Sequence, residues 1–274
     1  MKGINQRTKA VAFALCMMGM LIAVYTFGLL ISEEAMMSGF QNAHQPPSWK
    51  YPFGTDALGR NLLLRTIKGL SVSITVGIVA SLISALIAAL VGMATAVGSK
   101  RVDAVVGWWI DLVMGVPHTV FILLISFALG RGVKGLLVGI AATHWCSLAR
   151  LIRGEVLQLR CQQYVAVSRR LGKSGGWILI HHLFPHLIPQ FFVGLVLMFP
   201  HVILHEASIS FLGYGLPPEQ PSIGIILSES IRYLSAGMWW MAVLPGLVLV
   251  GIVWGLERLA DYLHRILDPY SVQE

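Results

Sequence analysis

Apolar residues gather into six stretches along the chain, at residues 10–31, 71–97, 105–129, 135–151, 184–204 and 238–256. A helix rises about 1.5 Å per residue, so about 20 apolar residues cross the hydrocarbon of a bilayer. The first, second, third and fifth stretches meet that length, and the sixth just does. The fourth is short, which suits an interfacial segment or a span through locally thinned lipid. The pattern therefore predicts an all-α polytopic membrane protein with six transmembrane helices. The first stretch follows Lys2, Arg7 and Lys9 and ends at Ser-Glu-Glu. It is longer than the about 7–15 apolar residues of a signal-peptide core, so it reads as a retained first helix.

The polar segments between the stretches are uneven. Residues 32–70 and 206–237 are too long for tight turns. Their prolines and aromatics suit interfacial loops or short helices lying on the membrane. Residues 150–182 form the longest basic segment. Within it Leu157, Cys161, Tyr164, Val165, Ser168 and Leu171 recur at helical spacing, with Arg160, Gln162, Gln163, Arg169 and Arg170 off that stripe. Gly172 suits a helix C′ position and Gly175-Gly176 a redirection of the chain. The expected form is a helix, a turn and a second short helix, serving either as a solvated connector or as a docking site for a soluble partner. In the second stretch Ser84, Ala88, Gly92 and Ala96 share one helical face. Small residues let backbones approach, within the chain or at a subunit interface.

Composition agrees with the pattern. Charged residues make up 12% of the chain, against about 25% in soluble domains. The net charge of +7 calls for no nucleic acid, because Lys and Arg collect in cytoplasmic loops. With the N-terminus inside, the inner segments hold 13 Lys and Arg and the outer segments 7. That bias predicts both termini cytoplasmic. Cys16, Cys146 and Cys161 form no C-x-x-C pair, and Cys16 and Cys146 read as small core residues.

Gly172-Lys173-Ser174 has the tail of a phosphate-binding loop. The full motif is G-x-x-x-x-G-K-[ST] after a strand. Its first glycine would fall at Val167, and the preceding residues read as helix. The match is a coincidence, and any ATP hydrolysis belongs to another polypeptide. The expectation is no catalytic residue and no cofactor in this chain.

The same segment resembles the EAA loop of bacterial ABC importer permeases, E-A-A, three residues, G, nine residues, I-x-L-P. Gly172 and Pro185 match in spacing. Ala166, Val167 and Ser168 stand at the E-A-A positions, so the glutamate is missing, and His182, Leu183 and Phe184 stand at I-x-L. "FGTDALGRNLLLRTIKGLSVSI" (53–74), "EASISFLGYG" (206–215) and "LDPY" (267–270) are similar to signatures of the second permease of dipeptide, oligopeptide and nickel importers. The resemblance implies a type I importer permease in the bacterial inner membrane. It would pair with a sister permease and two ATPase subunits that bind ATP and Mg, and would receive substrate from an extracytoplasmic binding protein. It implies an N-terminal helix and outer segment over 1–66, a permease domain over 67–261 and a cytoplasmic tail over 262–274. It places the ATPase-coupling loop at Tyr164, Ala166, Val167, Ser168, Arg169, Arg170, Leu171, Gly172, Lys173 and Pro185. With the glutamate absent, docking is expected to use shape, the Gly172 turn and Arg169 and Arg170.

Cargo is less constrained. His201 and His205 lie one helical turn apart in the fifth stretch, His118 follows Pro117, and His144 lies in the fourth stretch. Imidazole ligates nickel, copper and zinc, so His201 and His205 offer two transient metal contacts. Histidines in membrane helices also hydrogen-bond to neighbouring helices. Together with the helical histidines of nickel-importer permeases, this favours nickel or a metal chelate as cargo, with dipeptides or oligopeptides as the alternative. Glu206, at the outer end of the fifth stretch, is expected to shape a gate. Asp111 is expected to be a structural charge paired near Lys100 and Arg101, and His181, His182 and His186 to be solvated or interfacial and not a metal cluster. A secondary carrier would need internal repeats, and a membrane enzyme a convergent acid, base and nucleophile. The sequence shows neither.

Overall fold

The computed structural model describes residues 6–32 and 37–267, and their side chains apart from 6–10, 96, 97 and 264–267. The "DPY" of the C-terminal signature, the tail beyond it, Lys2 and Glu33-Glu34 lie outside the described residues. Among the described residues ten α-helices run in order: α1 (Gln6–Leu30), α2 (Leu62–Val97), α3 (Lys100–Met114), α4 (His118–Ala128), α5 (Val133–Arg160), α6 (Gln163–Arg170), α7 (Gly175–Ile178), α8 (Phe184–Phe211), α9 (Ile223–Leu234) and α10 (Trp240–Leu267). Among the described residues the only β-pairing is an isolated bridge between Thr55 and Asn61.

Among the described residues five helical runs are long and apolar enough to span a bilayer, and six if α3 and α4 count as one broken span. The expected third span is therefore not one straight helix: α3 and α4 meet at 89°. Pro117 has no N–H to donate and disfavours the α conformation in the residue before it, which breaks the helix after Gly115. The two halves still connect opposite ends of the bundle. At the start of α3, Asp103 accepts from Arg153 near the end of α5 at 2.6 and 2.9 Å. At the end of α4, Ser126 donates to the carbonyl of Tyr214, beyond α8, at 2.5 Å. The fourth span is longer than its apolar stretch, because α5 continues as helix through polar residues to Arg160. The fifth also extends at both ends, to a helical run over Gly175–Phe211.

α2 is the central element, shared by two apolar clusters. On one side Ala80, Ala85 and Ala88 pack with Ile140, Ala149 and Ile152 of α5. On the other, Leu62, Leu70 and Ile74 pack with Ile203 of α8, Ile223 of α9 and Leu256 of α10. The small-residue face works within the chain. A methyl group at Gly92 would sit 2.7 Å from Ile152 Cγ2, so the missing side chain is what lets α5 approach. In lipid this close van der Waals packing replaces the hydrophobic drive as the force between helices. Cys146 is buried as expected. Cys16 is exposed on α1, because the apolar face of a spanning helix can meet lipid instead of protein.

Candidate functional site

At one end of the bundle lies the loop from α6 to α8. The expected continuous helix breaks at Cys161-Gln162, where α5 stops and α6 starts. Of the predicted stripe only Val165 and Ser168 are buried; Leu157, Cys161, Tyr164 and Leu171 are exposed. α6 ends in a Schellman motif. Gly172 takes φ +78, its N–H bonds to Arg169 O at 3.0 Å, and the N–H of Lys173 bonds to Ser168 O at 3.1 Å. Ser174 then caps α7 by accepting from the Trp177 N–H at 3.3 Å. A π turn over Leu179–Leu183 joins α7 to α8, and Pro185 follows it in the first turn of α8. π turns accommodate local disturbances of the α ladder such as proline.

Of the histidines here, His181 and His186 are exposed and His182 is partly buried, and each also makes a contact. His182 Nε2 lies 2.9 Å from Ser168 Oγ, tying α6 to the π turn. Tyr164 contacts the rings of His182 and His186 at centroid distances of 5.4 and 6.2 Å. Trp177 stacks on His181 at 4.3 Å, with Lys173 Nζ 4.8 Å from the indole centroid. Outside this bracing, Ala166, Val167, Arg169, Arg170, Leu171 and Pro185 are exposed, with Leu171 at 73% and Val167 at 55%.

Deeper in the bundle, the 89° bend brings His118, at the start of α4, against α5 and α8. There His118, His144 and His205 each present a ring nitrogen, all within 4.8 Å of one another. The ring centroids lie 5.0–6.3 Å apart. The expected partner of His205, His201, is exposed one turn away and outside this group. The ligand set gathered by the fold thus draws on three helices instead of one H-x-x-x-H face.

Glu206 turns away from the histidines and is fully buried. Ser73 of α2 donates to it at 2.5 Å and Ser210 of α8 at 2.8 Å. Asp111 is paired, but with Arg150 of α5 at 2.5 Å, and both side chains are largely exposed.

One network escaped the sequence reading. Arg65, 2% exposed, donates to Asp56 at 3.1 Å and holds Glu229 of α9 with both terminal nitrogens, at 2.5 and 2.8 Å. Asp56 also accepts from the backbone of Leu58 and Arg60, and from Arg60 Nε at 2.6 Å. Asn61 caps α2 by accepting from the Leu63 N–H. The conspicuous segment 53–74 is therefore a structural clasp. A charge pattern of D-x-x-x-R-x-x-x-x-R before an apolar run was the available signal.

Residues 77–270 match the family described as the binding-protein-dependent transport system inner membrane component. The chain belongs to this family. It is thus a multi-pass inner-membrane permease of an ABC importer, and a transport component instead of a catalyst. It is 32% identical over 96% of its length, and 88% of the relative's, to a Brucella suis protein assigned by name to the peptide permeases. It is 30% identical to the oligopeptide transport permease OppC of Bacillus subtilis, covering 83% of this chain and 74% of that one. Against the dipeptide transport permease DppC of the same species the identity is 29%, over 93% and 82%. These names lend no support to the nickel preference and favour the peptide alternative.

Proposed function

We propose that this permease imports dipeptides or short oligopeptides, as one half of a heterodimeric pore with a sister permease. Two ATPase subunits bind ATP and Mg outside this chain, and one of them docks on α6, the Gly172 turn and α7. An extracytoplasmic binding protein delivers cargo at the opposite end, near the clasp, and both termini are cytoplasmic. The observation that carries this reading is the form of the α6 loop. It is braced from behind by Ser168–His182 and by the Tyr164 and Trp177 ring contacts. Meanwhile Val167 and Leu171 stay bare beside two arginines. A rigid loop end with exposed apolar side chains suits a protein partner. Peptide cargo is supported by the names of the relatives over nearly the full chain.

Two measurements test the reading. Val167→Asp and Leu171→Asp each add a charge to an exposed position, so the permease should still accumulate while ATPase co-purification falls at least tenfold. Unchanged co-purification places the docking surface elsewhere. In proteoliposomes of the whole complex, ATP should drive dipeptide uptake. ATP-driven uptake of free nickel without any peptide uptake would reverse the cargo assignment.

A further inference from the structure

The three histidines gathered at the α4 bend have no role in the peptide reading. His144 is 5% exposed and lies 11 residues into α5, about 17 Å from its start. Ionisable groups at such depth are rare and costly, and they mark functional sites in membrane proteins. His118 and His205 are partly buried, and among the described residues neither side chain forms a hydrogen bond that would occupy its ring nitrogens. The three imidazoles face one another at ring-centroid distances of 5.0–6.3 Å.

The surroundings of His144 favour one of its two ring nitrogens as the available one. Its Nδ1 lies 3.2 Å from the carbonyl oxygen of Ile140 and 3.0 Å from Thr143 Oγ1. A carbonyl can only accept, so the contact with Ile140 is a hydrogen bond in the tautomer that carries its proton on Nδ1. The Nε2 lone pair is then left free for the group. Fixing one ring nitrogen through a backbone carbonyl is how metal-ligating histidines are oriented and made more basic. The spacing is compatible with a shared ion. Metal–nitrogen bonds of about 2.0–2.1 Å put neighbouring ligand nitrogens roughly 3 Å apart. The nitrogens lie within 4.8 Å, so side-chain rotation of about an ångström or two closes the set. Neutral imidazole selects borderline transition cations over magnesium or calcium, which prefer oxygen.

We propose that His118, His144 and His205 form a binding site for a single divalent transition-metal cation, held by three imidazole nitrogens with coordination positions left open. The open positions lie on the side of His118 and His205, which are only half buried. They would take donor atoms from outside the chain, and the amine and carbonyl groups of a peptide are suitable ones. The metal site itself does not depend on the peptide assignment. Metal binding and peptide uptake are separate readouts, and either can fail without the other.

The probe is cobalt(II), added to the whole transporter complex carrying an affinity tag without histidine. The expected result is saturable binding of one cobalt per copy of this chain, with visible d–d absorption. Nickel or zinc should displace it and magnesium should not. His118→Gln and His205→Gln alter half-buried rings, so they should leave the elution volume of the complex unchanged and weaken cobalt binding at least tenfold. His144→Ala should do the same, whereas His201→Ala should retain the absorption band. Absence of saturable cobalt binding overturns the proposal. So does a band that survives His118→Gln/His205→Gln, or one lost with His201→Ala alone.

Discussion

The two ends of the bundle manage polar residues in opposite ways. At the clasp, charge is internal. Arg65 and Asp56 are almost fully buried, and between them they engage Arg60, Glu229 and two backbone N–H groups. Nearby, Glu206 is held by serines from two helices. At the α6 loop, charge is external. Arg169 and Arg170 are exposed, and the contacts that brace the loop are rings, the Lys173 ammonium over Trp177 and one serine–histidine pair. The first arrangement is expensive to disturb, since removing one member strips charge-assisted hydrogen bonds from another that stays buried. The second has little to lose from a polar substitution. One end holds the shape of the molecule, and the other offers a surface to be covered.

That contrast makes graded predictions. Arg65→Ala should cost most, about 2–3 kcal/mol, since it removes charge-assisted hydrogen bonds to buried Asp56 and to Glu229 while Arg60 still partners Asp56. It should appear as a large fall in melting temperature and membrane yield. A small loss would show the clasp to be ornamental. Gly172→Ala forces an L residue into the left-handed region at a cost of roughly 1–2 kcal/mol. That cost falls on a local turn, so ATP-driven transport should fall several-fold while the melting temperature of the whole bundle moves by only a few degrees. Ser168→Ala removes one bond to His182, worth about 1 kcal/mol. It should increase hydrogen exchange over residues 163–178 without altering exchange at the clasp. Asp111→Asn breaks an exposed ion pair, worth about 0–1 kcal/mol, and thermal unfolding should not resolve it from wild type.

What the sequence discloses follows from how local each feature is. Spans appear because hydropathy is summed over neighbouring residues. The Gly172 turn was legible because a Schellman motif is written in consecutive positions. The break at residues 161–162 carries neither glycine nor proline, so periodicity ran through it. The bend after Gly115 was hidden inside an apolar stretch that looks uniform to hydropathy, although Pro117 signalled it. Asp111 was assigned a partner close in sequence, whereas its true partner is Arg150, on another helix. The histidine set was the least legible. Its members come from α4, α5 and α8, and only the bend brings the first of them to the other two. Arg65 and Glu229, 164 positions apart, were missed for the same reason.

The helical run over Gly175–Phe211 has a mechanical consequence. At 37 residues it is about 55 Å long, with its foot in the α6–α7 corner and Glu206 near its head. A tilt of about 5° at the foot carries the head sideways by roughly 5 Å, on helix length alone. The π turn and the prolines at 189 and 200 are the joints at which such a lever would flex, and His205 rides on the moving arm between the last joint and the clasp. On the proposed docking at α6, a small displacement there would arrive magnified at the far end of this run.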